Sequence, residues 1–225
     1  MSLAVMSVSD ALGTRYSVRA FNNTPVPQPV LEEIFSMARQ APSNCNVQPC
    51  RVYVVSGASK DRLKDDLVGA VLSGKPANPD FEWDLKYLAE HRERQFGSAN
   101  ALYSAMGIER TDRQRRQNAM LRNWGFFDAP HAAFFTMAKY LKLKGAVDLG
   151  IYAQTLALLM AERGIASCMQ GALGLYPDPA RRMFGLPEDV GILFGMSFGY
   201  ADTDASANKT RTDRVAVDSV VRFLN

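Results

Sequence analysis

Apolar residues fall into short blocks whose spacing assigns most of the chain. Leu31, Ile34, Phe35 and Ala38 recur at i, i+3, i+4 and i+7, the stripe of a helix with one buried face. Pro27 and Pro29 lead into it from a turn-rich stretch over 22–29, and Ala41-Pro42-Ser43-Asn44 ends it. Leu149, Tyr152, Ala153, Leu156, Leu159 and Met160 mark a more strongly apolar helix that closes at Arg163-Gly164. Four runs read as strands: Arg51 to Val55, closed by Ser56-Gly57; Ala132 to Met137; Ile165 to Gln170; and Gly191 to Tyr200. Ser17 to Phe21 also looks extended.

Start and stop signals predict the remaining elements. Asp10 caps a short helix over 11–16. Ser59 caps a helix starting at Lys60, and Ser73 to Asp80 is a loop rich in Gly, Pro and Asn. Thr111 caps a helix reaching about Trp124. Asp178-Pro179 opens a short helix stopped by Gly185. From Phe81 to Arg122 the chain is charged, mostly helical in flavour, and carries the scattered aromatics Phe81, Trp83, Tyr87, Phe96 and Tyr103. The tail from Ala201 is polar, then apolar again from Val215 to Leu224. Strands do not alternate strictly with helices, and there is no internal repeat or low-complexity linker. The expectation is a single α+β domain over 1–225.

Composition narrows the function classes. The 225 residues are 47% hydrophobic and 22% charged, as in globular chains, so disorder is not expected. A net charge of +3, from 26 basic and 23 acidic residues, is too mild to argue for nucleic acid. The run Arg110, Arg113, Arg115, Arg116 and Arg122 is interrupted by Glu109 and Asp112 and lacks interleaved aromatics, so it reads as a solvated helix face. Three cysteines without a C-x-x-C spacing argue against a disulfide framework. Met1 to Asp10 lacks a basic segment and a long apolar core, and no apolar run reaches the ~18 residues of a membrane span. A cytoplasmic, membrane-free location follows as the expectation.

Two other chemistries fail on detail. Gly69-Ala70-Val71-Leu72-Ser73-Gly74-Lys75 has phosphate-loop spacing, but Pro76 stands where a hydroxyl should hold magnesium, and the preceding segment looks helical. His91 and His131, with dispersed cysteines, make no zinc spacing, so no metal is expected. His131 stays open as a base.

Three separated segments combine small or polar residues with cations. Arg15-Tyr16-Ser17-Val18-Arg19 sets two arginines around a serine, a pattern able to grip oxygen anions. Ala41-Pro42-Ser43-Asn44-Cys45-Asn46-Val47-Gln48-Pro49-Cys50-Arg51-Val52 is a polar loop between helix and strand. Asn208-Lys209-Thr210-Arg211 places two cations two residues apart, pointing the same way if extended. Each alone is weak.

Together they resemble the nitroreductase family. R-x-S-x-R is similar to its N-terminal flavin motif, and Ala41 to Val55 looks like its A-P-S-x-x-N-x-Q-P stretch. Asp148 to Tyr200 resembles its central helix, its G-x-x-x-C-x-Q-G turn and its last core strand. Asn208 to Arg214 resembles its phosphate clamp. Cys50 and Met169 depart from the tryptophan and proline frequent there.

The resemblance implies a nitroreductase-like fold, a mostly antiparallel sheet flanked by helices in an intertwined homodimer with FMN at the interface. It implies that Arg15, Tyr16, Ser17 and Arg19 contact FMN, and that Ser43, Asn44, Cys45 and Asn46 approach it partly from the partner subunit. Asn123 is the candidate for the pyrimidine edge. Met169, Gln170 and Gly171 would lie against the ring, and Lys209 and Arg211 would clamp the phosphate. The 81–124 segment resembles a lid-like insertion. Its aromatics, Phe96, Tyr103 and Trp124 with Phe126 and Phe127, either roof the pocket over a planar acceptor or simply pack the lid. The implied activity is two-electron transfer from NAD(P)H to nitroaromatic, quinone or similar acceptors, with no side chain acting as acid or base. The alternatives are a reductive dehalogenase or flavin-fragmenting branch of the same fold, and a flavin-binding module without turnover. A nucleic-acid binder using the arginine run is a further one.

Overall fold

A computed structural model describes residues 6–82 and 86–224. Trp83, one of the aromatics expected in the lid segment, lies outside the described residues. The helices are α1 (Val8–Thr14), α2 (Gln28–Ala38), α3 (Gly57–Leu72), α4 (Ala89–Ala105), α5 (Arg113–Leu121), α6 (Lys142–Glu162) and α7 (Asp178–Phe184). The strands are β1 (Arg51–Ser56), β2 (His131–Ala138), β3 (Ala166–Gln170) and β4 (Val190–Gly199). They form one sheet in the order β1-β2-β4-β3, and every pairing is antiparallel.

The apolar run of β2 follows from covering both faces of the sheet. Side chains alternate along a strand. Ala133, Phe135 and Met137 join the core under α2 and α6, whereas Ala132 and Phe134 join the core under α3 and α7. The same α6 core takes Leu31, Ile34 and Ala38 from the α2 stripe, together with Leu149, Ala153, Leu156 and Met160. Gly185 ends α7 in the left-handed region at φ 61°, where a side chain would be strained.

Several boundaries shift. Ser7, not Asp10, caps α1. Its hydroxyl accepts from the Asp10 amide, while the Asp10 carboxylate accepts from the Ser7 amide, a capping box that starts the helix three residues early. α3 begins at Gly57 rather than Lys60, and the Ser59 hydroxyl accepts from Arg62 instead. Asp112, not Thr111, caps α5 by accepting from the Arg115 amide, and that helix stops at Leu121. α6 starts at Lys142, a turn or more before its apolar stripe. The phosphate-loop spacing at 69–75 is the end of α3 and its turn.

Candidate functional site

α1 ends on Arg15, after which the chain runs extended along the outer edge of β3. The Val18 amide donates to the Ser167 carbonyl, which fixes Tyr16 to Arg19 beside β3. The C-terminal segment is drawn to the same place by one buried side chain. Asn208 accepts from the Arg19 amide at 2.7 Å and donates to the carbonyls of Ala20 and Asp202. A buried amide satisfied on three sides fixes both segments at once. The Arg211 guanidinium then lies 3.8 Å above the centre of the Tyr16 ring, a cation–π contact.

The inner wall is β3. From Cys168 onward its burial alternates: Cys168 and Gln170 point inward, and Met169 points out. Burial pushes the Cys168 thiol up, against the opposing pull of Arg19, the Ser17 hydroxyl and Arg15. Those three side chains therefore lie around Cys168. Gln170 is turned into the protein, donating to the Asn123 carbonyl at 2.9 Å and to the Asn123 side chain, and accepting from Ser197. It works as a brace that sets Asn123 beside the end of β3. Only its backbone stays with Met169 and Gly171 at the wall. The following turn lies close on the sheet, because a Cβ at Gly174 would sit 2.5 Å from the Leu193 carbonyl oxygen.

Arg15, Ser17 and Arg19 thus come together at Cys168, with Arg211 on Tyr16 and Lys209 next along the chain from the Asn208 anchor. Among the described residues, none of Arg15, Arg19, Lys209 and Arg211 lies within ion-pair distance of a carboxylate. The Thr210 hydroxyl between the last two is buried without a partner. Four uncompensated cations around a patch of small residues suit an anionic ligand, and a phosphate with a polar ring edge fits this donor set.

The loop of Ser43 to Asn46 stands elsewhere. The Asn44 amide donates to the buried Asp148 of α6, and the Ser43 hydroxyl accepts from the Gln48 amide. These bonds hold Cys45 and Asn46 at φ 50° and 55°, a costly conformation for a cysteine. Arg15 and Tyr16 sit instead against Ala161 and Gly164 at the other end of α6. From Asp148 to Ala161 the helix rises about 20 Å. Within one chain, then, this loop does not join the cation cluster.

Trp124 requires a correction. It is only 4% exposed, donates its indole N–H to the Ala172 carbonyl and packs edge-on to Tyr176, inside the α3/α7 core. Phe126 and Phe127 are buried too. None of the three can roof a pocket. Phe96 and Tyr103 do line a broad cavity, of about 1050 Å³, beside α4. His131 is likewise structural. Its Nε2 accepts from the Val26 amide, leaving Nδ1 to donate to Ser56, and burial, then Lys60, holds its pKa down.

Asn208 and Asp148 were not singled out as site residues by sequence reasoning. Each carried a signal: a polar residue inside the cationic tail motif, and a lone carboxylate opening an apolar helix stripe.

Residues 12–200 match the nitroreductase family model. Nitroreductase NfnB of Mycolicibacterium smegmatis is 39% identical over 212 residues, covering 93% of this chain and 89% of that protein. A 4-nitrobenzoate reductase of Pseudomonas putida is 31% identical across 100% of this chain and 98% of its own length. Among solved structures, the FMN-dependent nitroreductase NfnB from Mycobacterium smegmatis in complex with NADPH superposes with a TM-score of 0.92. It is 37% identical, and the match covers 97% of this chain and 98% of that one. The chain belongs to the nitroreductase family.

Proposed function

We propose that the protein is an FMN-dependent oxidoreductase that carries two electrons from NAD(P)H to nitroaromatic and similar planar acceptors, working as a homodimer. The reading is carried by Arg15 and Arg19 beside Cys168 and the Lys209–Arg211 segment anchored next to them, none of these cations ion-paired among the described residues. Bound FMN supplies the redox chemistry, accepting a hydride from the donor and passing two electrons to the acceptor. Lys209 and Arg211 hold its phosphate with Arg15 or Arg19. Ser17 and the Asn123 side chain meet the polar ring edge, and the Met169 to Gly171 backbone lies along the ring. Cations near the ring favour its anionic reduced state. The relatives' names support the acceptor class, and the FMN- and NADPH-dependent structural neighbour supports the cofactor pair.

Two features support the dimer. The Ser43–Asn46 loop reaches an FMN only from a second copy, given its separation along α6. That helix is also apolar on two sides. Besides its buried stripe, Leu143, Val147 and Ile151 are 78%, 55% and 37% exposed at i, i+4 and i+8. The tail residues Val217, Phe223 and Leu224 are exposed as well. Among the described residues no helix is long and apolar enough to cross a membrane, and no His/Cys/Asp/Glu cluster suits a metal. Three free thiols accord with a cytoplasmic location.

The test separates the two half-reactions. Anaerobic protein mixed with NADPH loses its flavin absorbance, and 4-nitrobenzoate then restores it. A flavin that is reduced but never reoxidised by nitroaromatics, quinones or activated alkenes would leave a binding module in place of an enzyme.

A further inference from the structure

Asn123 is tied down more fully than a residue just past a helix end requires. Its backbone carbonyl accepts from the Phe126 amide at 3.2 Å and from the Gln170 side chain at 2.9 Å. Its side-chain oxygen accepts from the same Gln170 nitrogen at 3.3 Å, and its side-chain nitrogen donates to the Met120 carbonyl at 2.9 Å. Gln170 is fixed from behind, where its carboxamide oxygen accepts from the Ser197 hydroxyl; both residues are buried.

Backbone carbonyls only accept, so two of them decide which way both carboxamides face. The Asn123 carbonyl selects the Gln170 nitrogen, and the Met120 carbonyl selects the Asn123 nitrogen. Asn123 Oδ1 is thereby turned to Gln170, and one side-chain N–H is committed to Met120. Among the described residues the second N–H has no partner, and Asn123 is only half-buried, so this N–H is the donor it holds out to a ligand.

The backbone just after Asn123 is strained. Phe126, Phe127 and Asp128 stand in succession at φ 56°, 52° and 66°, a left-handed run that costs on the order of 1–3 kcal/mol per residue. It is held by the bond from the Phe127 amide to the Arg122 carbonyl and by burial of both phenylalanines. Strain of this kind persists where surrounding contacts over-determine a position.

We propose that Gln170, backed by Ser197, is a positioning residue that locks the Asn123 carboxamide with an N–H toward the carbonyl edge of the bound flavin and so raises the flavin's reduction potential. The assignment rests on the flavin reading above and adds two side chains that touch neither cofactor nor acceptor. Reduction places charge on the ring, and a donated N–H binds the charged form more strongly than the neutral one. A carboxamide free to turn presents its oxygen as readily, and that oxygen repels the same edge.

Gln170→Met combined with Ser197→Ala tests the lock. Replacing both partners strands no hydroxyl, and the Asn123 carbonyl keeps the Phe126 amide, so the fold survives. In apoprotein labelled with 15N-asparagine, the wild-type Asn123 side-chain amide resonates apart from those of exposed asparagines, and in the double variant it moves to join them. With FMN bound, the double variant lowers the reduction potential by about 15 mV. That is roughly a 3-fold change in the ratio of reduced to oxidised flavin affinity, at about 30 mV per tenfold. Asn123→Ala lowers it by about 30 mV, and the double variant on that background lowers it no further. Ser197→Ala alone gives a smaller shift of the same sign. A shift of equal size with and without Asn123 overturns the proposal, as does no shift where Asn123→Ala gives one. An Asn123→Ala protein with unchanged potential and FMN affinity takes Asn123 away from the ring, and the proposal with it. A protein that takes up no FMN removes the flavin reading itself, while the apoprotein resonance still reports the lock.

Discussion

Replacing Lys209 and Arg211 together by alanine removes the two cations that Asn208 brings to the cluster. The hydrogen bonds that anchor this segment do not depend on them, although the stacking of Arg211 on the Tyr16 ring is lost with the substitution. Arg19 and Ala20 are held by Asn208, whose side-chain bonds persist in the double variant, and the Arg211 side chain donates only to the local carbonyls of Asn208 and Thr210. What is lost is phosphate binding. A charge-assisted hydrogen bond contributes about 1.5–3 kcal/mol. Both side chains are exposed, so solvent screening places each at or below the bottom of that range, about 1–1.5 kcal/mol. Together they come to about 2–3 kcal/mol, or roughly 30- to 150-fold in Kd. The assay is quenching of free FMN fluorescence on titration into apoprotein, with riboflavin, which lacks the phosphate, as a parallel ligand. FMN affinity falls by that factor and riboflavin affinity holds. Unchanged FMN affinity, or equal losses for both ligands, refutes the clamp.

Three further outcomes follow from the same geometry. Gln170→Leu strands Ser197 and the Asn123 carbonyl in the interior, which costs about 2–4 kcal/mol and lowers Tm by about 5–15 °C; a Tm within a degree of wild type would show that the brace is dispensable. His131 is held neutral in the fold, so between its depressed folded pKa and about 6.5 the unfolded chain binds more protons. The stability it contributes is full above about pH 6.5 and falls as pH drops below it. The slope of urea midpoint against pH in that window becomes shallower in His131→Asn, and an identical slope contradicts the assignment. Trp124→Phe destabilises by about 1–3 kcal/mol through the lost bond to Ala172 and the smaller ring, while the ratio of kcat/KM for 4-nitrobenzoate and a quinone stays fixed; a changed ratio would return Trp124 to the acceptor pocket.

The architecture was legible wherever burial was strongly periodic. The α2 stripe, the two-faced β2 run and the glycine after α7 each left one reading. Boundaries slipped where neighbouring residues share a chemistry. Ser7 and Asp10 both cap helices, as do Thr111 and Asp112, and only the reciprocal bonds decide between them. The site was legible as types of residue, because cations and small residues at the ends of apolar elements are visible in a string. Which side chains turn inward was not. Gln170 was read as a backbone contact to the ring, and its side chain, on the same face of β3 as the buried Cys168, is free to turn inward and brace Asn123. Trp124 looked like lid because it follows a charged stretch, yet Phe126 and Phe127 just after it form the apolar cluster of a chain re-entering the core. The separation of Ser43–Asn46 from the cation cluster depends on the length of α6, which no local pattern expresses.

The central claim is that the cation cluster is a flavin-phosphate site, and the most direct measurement is the wild-type apoprotein's relative affinity for FMN and riboflavin. The account predicts that FMN binds at least about 100-fold more tightly, the worth of two or more charge-assisted contacts to one phosphate. Equal affinity for the two, or binding of neither, would contradict it.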